Sequence, residues 1–141
     1  MLKSIPRILS PNLVKIMMEM GHSDIIILSD ANYPAKTNAK TLLRMDNCEI
    51  PDLLDAMLPF FPLDNFVKYP VTLMKPHDDN KVKIWKQYKQ IIEKHDEEKA
   101  FKGFKTIDRL DFYKWSQEAT VIVQTATTAR YANIALQKGV I

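Results

Sequence analysis

Glycine is scarce in this chain, with three residues in 141. A loop that cradles phosphates needs several closely spaced glycines, so a glycine-rich nucleotide site is excluded. Cysteine is scarcer still. The single thiol, Cys48, cannot form an internal disulfide or a paired-cysteine metal site, and it fits a reducing compartment. Acids crowd it in "MDNCEIPD", and acids raise a thiol's pKa, so an inert, partly buried cysteine is expected. No stretch approaches the ~20 apolar residues of a membrane span. The opening "MLKSIPRILSPN" meets Pro6 and Pro11 and lacks the apolar core of a signal peptide, so a cytoplasmic location is expected. No five like charges adjoin. Basic residues are spread among acids, the net charge is +3 and the pI is near 8.9. With no basic stretch interleaved with aromatics, no nucleic-acid partner is expected. There is no HExxH motif. The histidines, at 22, 77 and 95, are far apart, and no spacing selects acids to join them around zinc. No metal is expected.

What remains suits one globular domain. Hydrophobic residues make up 46% and charged residues 26%, and a chain of this length buries roughly 68% of its unfolded surface without metal or disulfide. "SPNLVKIMMEMG" reads as a helix capped by Ser10, with Pro11 at its first position, Leu13, Ile16, Met17 and Met20 on one face, and Gly21 at its end. "DIIILSD" is a short apolar run bounded by polar residues, the pattern of a strand covered on both faces. "NYPAKTN" breaks at Pro34 and reads as a loop. "TLLRMD" reads as a short strand, and "IPDLLDAMLPFFPLD" as a helix that Pro59 and Pro62 end. "YPVTLMKP" is an edge-compatible strand because of Pro70. "DNKVKIWKQYKQIIEKHDEEKA" is an amphipathic helix with Ile84, Tyr88, Ile91 and Ile92 on its apolar face; His95 reads as a surface residue in its solvated end. "FKTIDRL" is a weak strand or turn, "DFYKWSQEA" a short helix, and "TVIVQTA" a β-branched strand. Mixed helices and strands, with no repeat or linker, predict one α/β domain over residues 1–141: a compact, layered mixed sheet flanked by helices.

His22 is the histidine that stands out. It follows a helix-ending glycine and precedes a buried strand, which places it at a sheet edge, with Glu19 and Asp24 near enough in sequence to orient it. The alternative is a helix-terminal histidine favoured by the macrodipole. Asp30 stands at the strand's other end, where loops collect and ligands bind in open α/β sheets. The run between them spans roughly 20 Å when extended. Either the chain bends, or the two ends serve one site by joining different subunits. Arg130, Tyr131 and Asn133 follow the later strand on a loop, and Tyr and Asn are common partners of sugar hydroxyls.

Four segments together, "GHSDIIILSDANYPA", "IPDLLDAMLPFFPLD", "IDRLDFY" and "RYANIALQKGVI", resemble the fucose mutarotase and ribose pyranase family over nearly the whole chain. The proline-rich second segment leans toward the fucose branch. The resemblance implies a cofactor-independent sugar isomerase acting on L-fucose, with ribose and galactose as other candidate monosaccharides. It implies a ring-forming fold, commonly a homodecamer, with sites at subunit contacts. It places the catalytic histidine on His22 and the sugar-binding residues on Asp30, Arg109, Tyr131, Ala132 and Asn133. Two departures stand out. Fucose-branch members often carry glycine where this chain has Ala132, and the turn that usually reads Thr-Gly-Glu here reads Thr125-Ala126-Thr127. The rival readings are a ribose pyranase and a non-catalytic sugar-binding accessory of a transporter. His77 and His95 are given no part in the chemistry. The apolar C-terminal stretch "NIALQKGVI" is expected to be covered, by a central strand within the domain or by a subunit contact.

Overall fold

The computed structural model describes residues 2–78 and 81–141. Its order follows the sequence closely. The Ser10 hydroxyl accepts the Leu13 N–H, Pro11 takes the first helical position, and α1 runs Pro11–Glu19. A turn leads into β1 (Ile25–Ser29). Then come α2 (Ala35–Asn38), β2 (Leu42–Met45), α3 (Ile50–Met57) with a 3-10 turn over Leu58–Phe60, β3 (Val71–Met74), α4 (Lys83–His95), β4 (Lys105–Ile107), α5 (Arg109–Ser116), β5 (Val121–Thr125) and β6 (Ile134–Gln137). The expected start of α4 takes in Asp79 and Asn80, which lie outside the described residues. No helix among the described residues is long and apolar enough to cross a membrane.

The strands form one six-stranded sheet in the order β2-β5-β1-β6-β3-β4. β1 pairs parallel with β5 and antiparallel with β6, so the sheet is mixed. The alternation of β1 explains its unbroken apolar run. Ile26 and Leu28 join the larger core cluster, beneath α1, α3 and α4; Ile27 joins the smaller one, beneath α2 and α5. All three are fully buried, and each contributes roughly 1.5–3 kcal/mol of burial.

Several expectations change. The loop "NYPAKTN" contains α2: Pro34 presets the turn, the Asn38 amide donates to its carbonyl at 3.0 Å, and four residues are too few to show a period. β3 is not an edge strand, because it lies between β6 and β4. Pro70 precedes its first ladder residue and accepts the Gln137 N–H at 2.8 Å, so the missing proline donor costs nothing. Pro59 sits inside the 3-10 turn rather than ending the helix outright. His95 is not a free surface residue. Its side chain is 17% exposed and its Nε2 lies 2.7 Å from Asp55 Oδ1, which ties α4 to α3. Hydrogen bonds from His95 and Lys94 hold the Asp55 carboxyl below its ordinary range. Cys48 is buried, and burial, then the charges of Asp52, Glu49 and Asp46, push its thiol up. The C-terminal stretch is buried where it forms β6, in the middle of the sheet, while Val140 and Ile141 are exposed.

Candidate active site

The C-terminal end of β1 faces the same way as the start of antiparallel β6, so Asp30 and Asn133 meet there. They form a closed clasp. The Asp30 N–H donates to Asn133 Oδ1, and the Asn133 Nδ2 donates back to Asp30 Oδ2, both at 2.9 Å. Asp30 Oδ1 accepts the Asn32 N–H at 2.9 Å. The aspartate is 7% exposed. Burial raises its carboxyl above the ordinary range, and the hydrogen bonds from Asn32, Asn133 and Tyr33 work against that rise.

The clasp forms part of the wall of a cavity of about 290 Å³, which Asn32, Tyr33, Met74, Arg109, Tyr113, Arg130 and Tyr131 also line. α5 supplies Arg109 and Tyr113, one turn apart on one face, and the guanidinium lies 5.5 Å from the Tyr113 ring centre. The Tyr33 phenol donates to the Ser116 hydroxyl at 2.6 Å, and burial pushes its pKa up to about 12. Tyr131 adopts a φ of 57°, in the left-handed region. Its carbonyl accepts the Trp85 indole N–H, and its hydroxyl accepts the His77 backbone N–H at 3.2 Å, leaving the phenolic hydrogen to donate. The cavity therefore offers a carboxylate, guanidinium groups, phenols and a carboxamide, a set that suits a small polyol.

Of the residues singled out in the sequence, Asp30, Arg109, Tyr131 and Asn133 line this one cavity. Ala132 does not. It is fully buried in the larger core cluster, and its carbonyl accepts the Tyr88 hydroxyl at 2.7 Å. Thr125, Ala126 and Thr127 do not line it either. The Thr125 hydroxyl donates to the Ser29 carbonyl and the Thr127 hydroxyl to Glu49, so the departure at this turn points into the body of the domain.

His22 lies elsewhere. β1 is a regular strand paired on both sides, so the chain does not bend, and His22 sits at its other end. It is not at the flank of the sheet, since β1 is central. Neither expected acid orients it. Glu19 pairs with Lys15, and Asp24 accepts the Gly21 N–H. Its partner is Asp64, 42 residues away, whose Oδ2 lies 3.1 Å from His22 Nε2. In "PLDNF" that aspartate reads as an ordinary loop acid, and nothing in the sequence marks it. Asn32, Tyr33, Met74 and Tyr113 line the cavity without standing out in the sequence, although the place of Tyr113 four residues after Arg109 on a helix is a signal. Among the described residues, no three His, Cys, Asp or Glu side chains are grouped to hold a metal ion.

Residues 3–141 match the RbsD / FucU transport protein family. The chain belongs to this family. A mouse fucose mutarotase is 37% identical, over 98% of this chain and 94% of the relative. The crystal structure of the fucose mutarotase of Streptococcus pneumoniae in complex with L-fucose superposes with a TM-score of 0.92 at 44% identity, covering 99% of both chains. The Bacillus subtilis RbsD complexed with D-ribose is more distant, with a TM-score of 0.76 and 18% identity over 100% of this chain and 99% of that one, and shows the shared fold alone.

Proposed function

We propose that this chain is a cytoplasmic fucose mutarotase that interconverts the α and β anomers of L-fucose without a cofactor. The observation that carries the reading is the hydroxyl-binding cavity built on the Asp30–Asn133 clasp, in a chain similar over its whole length to a fucose mutarotase bound to L-fucose. Ring opening takes the proton from the anomeric hydroxyl, forms the C1 carbonyl, breaks the bond from C1 to the ring oxygen and protonates that oxygen. Rotation about C1–C2 and the reverse steps give the other anomer. Asp30, Arg109, Tyr131 and Asn133 hold the sugar, and His22 moves the proton. An imidazole titrates near ~6.5 and serves as acid or base at neutral pH, a contribution of about 10²–10⁴-fold.

His22 and the cavity lie at opposite ends of a straight strand, so the histidine of one protomer serves the cavity of a neighbour. That requires an oligomer, which we take to be the ring-shaped homodecamer that the family resemblance implies. Two inactive parents should therefore rescue each other. When His22→Ala and Arg109→Ala chains are co-expressed and assayed at low fucose, about a quarter of sites combine an intact cavity with an intact histidine. Exchange NMR should show activity well above either parent. No rescue would place the chemistry within one chain and sink the shared-site reading.

The same spectra separate the alternatives. A fucose mutarotase broadens the anomeric signals of L-fucose more than those of D-ribose or D-galactose. A ribose pyranase does the reverse, and a binding accessory binds sugar without accelerating exchange.

A further inference from the structure

Tyr131 stands in a conformation that tyrosine rarely adopts. Its φ of 57° lies in the left-handed region, where a Cβ crowds the backbone, and such a residue persists when its surroundings fix it. The connection from β5 to β6 that carries it has no glycine between residues 126 and 133 to ease the turn. The groups that hold it come from α4.

Trp85 and Tyr88 lie one helical turn apart on one face of α4. The Trp85 indole N–H donates to the Tyr131 carbonyl at 3.0 Å, and the Tyr88 hydroxyl donates to the Ala132 carbonyl at 2.7 Å. One helix thus grips two consecutive carbonyls, and the next residue, Asn133, is fixed by its clasp with Asp30. The grip is firm at its root. Tyr88 is fully buried, and burial pushes its phenol well above the ordinary range, so it stays a donor. The Trp85 ring packs against the larger core cluster. An indole has one donor and no acceptor, so the contact with Tyr131 uses the whole hydrogen-bonding capacity of Trp85.

The two contacts do different things. Tyr88 ties down Ala132, a core residue. Trp85 ties down the main chain of a cavity residue, and the His77 N–H meets the hydroxyl of that residue at 3.2 Å, so the tyrosine is held at both ends. Without the indole N–H the Tyr131 carbonyl loses its partner. The residue can then relax toward the extended region that tyrosine favours, and the phenol leaves its place.

Resting on the reading of this cavity as the sugar site, we propose that Trp85 is a positioning residue, whose indole N–H locks Tyr131 in the left-handed conformation that sets its phenol in the cavity wall. Trp85 does not itself line the cavity, and acts through Tyr131. Trp85→Phe keeps a ring against the core and deletes the donor. Titration calorimetry should show fucose bound about 3- to 10-fold more weakly, the worth of one oriented hydrogen bond. Exchange NMR should place the loss in KM, with the rate at saturating fucose changed far less, because His22 is untouched. Benzothienylalanine at position 85, which has the shape of tryptophan with sulfur in place of the N–H, should show the same loss and keeps the test open if Trp85→Phe does not fold.

In a Tyr131→Ala background, Trp85→Phe should cost no further affinity, since no phenol remains to be positioned. General loosening of the domain would instead weaken binding equally in both backgrounds and lower the urea midpoint in both. Native affinity in the benzothienylalanine protein, or an added loss in the double variant, would overturn the part given to Trp85 alone. Native affinity in Tyr131→Ala would overturn the reading of the cavity as the sugar site, and the proposal with it.

Discussion

The clasp between Asp30 and Asn133 makes a prediction that turns on donors and acceptors. Asp30 presents two acceptor oxygens, one for the Asn32 N–H and one for the Asn133 amide, and its own N–H needs the Asn133 oxygen. In Asp30→Asn no arrangement satisfies all three. If the new NH₂ faces Asn133, it meets another NH₂; if Asn133 flips, its NH₂ meets the backbone N–H of position 30 instead; if the new NH₂ faces Asn32, it meets that N–H. One buried hydrogen bond is lost whichever way the amides turn, at a cost of about 1–3 kcal/mol. Relief of the buried charge works against the loss, so the net cost should be about 1–2 kcal/mol. The double variant Asp30→Asn with Asn133→Asp restores every partner, because the carboxylate now at position 133 accepts both the side-chain and the backbone donor of position 30. It should regain most of the stability lost by Asp30→Asn. Asn133→Asp alone sets two carboxylates face to face and should be the least stable of the set. Urea unfolding at one fixed protein concentration measures all four proteins, with the coupling read from the double-mutant cycle. Additive losses in the double variant, or an unchanged midpoint in Asp30→Asn, would refute the clasp.

Further outcomes follow from the same structure. Because Asp30 titrates above its ordinary value of 3.8 in the folded chain, the unfolded chain releases this proton first. Its contribution to stability therefore falls as pH rises from that value through the raised one, and Asp30→Asn should flatten that limb of the urea midpoint against pH. Arg109→Ala should weaken fucose binding by about 1–3 kcal/mol in titration calorimetry while leaving the urea midpoint nearly unchanged, since the guanidinium lines the cavity and the ring beside it stays in place. His77→Ala should leave fucose exchange close to native, because the donor to Tyr131 is a backbone N–H that the substitution keeps. Gly139→Ala should destabilise the domain by more than a typical surface change, read as a lower thermal midpoint, because the added methyl meets backbone rather than a movable side chain.

The fold is legible in the sequence where local pattern and burial agree. The β1 run and the face of α3 carry apolar residues at the spacing that their burial requires, and Leu53, Leu54 and Met57 are all fully buried. Proline misleads when it is read only as punctuation. Pro70 demotes a strand only if its missing donor falls on the ladder, and here its carbonyl rather than its nitrogen meets β6. Pro34 starts a short helix instead of breaking a pattern. Charged neighbours point His95 toward solvent, but its partner Asp55 lies 40 residues away on the facing helix, a pairing that no local window contains.

The site divides along the same line. Asp30, Tyr131 and Asn133 stand beside the ends of β1 and β6, so residue type and position draw attention to them, whereas Arg109 opens α5 after β4 and is singled out only by the family resemblance. Ala132 shows where that reasoning stops. Tyr131 and Asn133 line the cavity, while Ala132 between them packs into the larger core cluster, a split set by the left-handed turn at Tyr131 rather than by any local pattern. Asp64 shows the opposite failure. Its side chain acquires meaning only because Gly139 lets the backbone of residues 62–64 press against the end of β6, which brings a loop carboxylate beneath the turn before β1. The strand that separates His22 from Asp30 is thus also the scaffold that gives each its partner: Asn133 enters β6 at one end of it, and Gln137 leaves β6 at the other. One antiparallel pair, β1 with β6, positions both the cavity residues and the His22–Asp64 pair, and its length keeps them apart in a single chain.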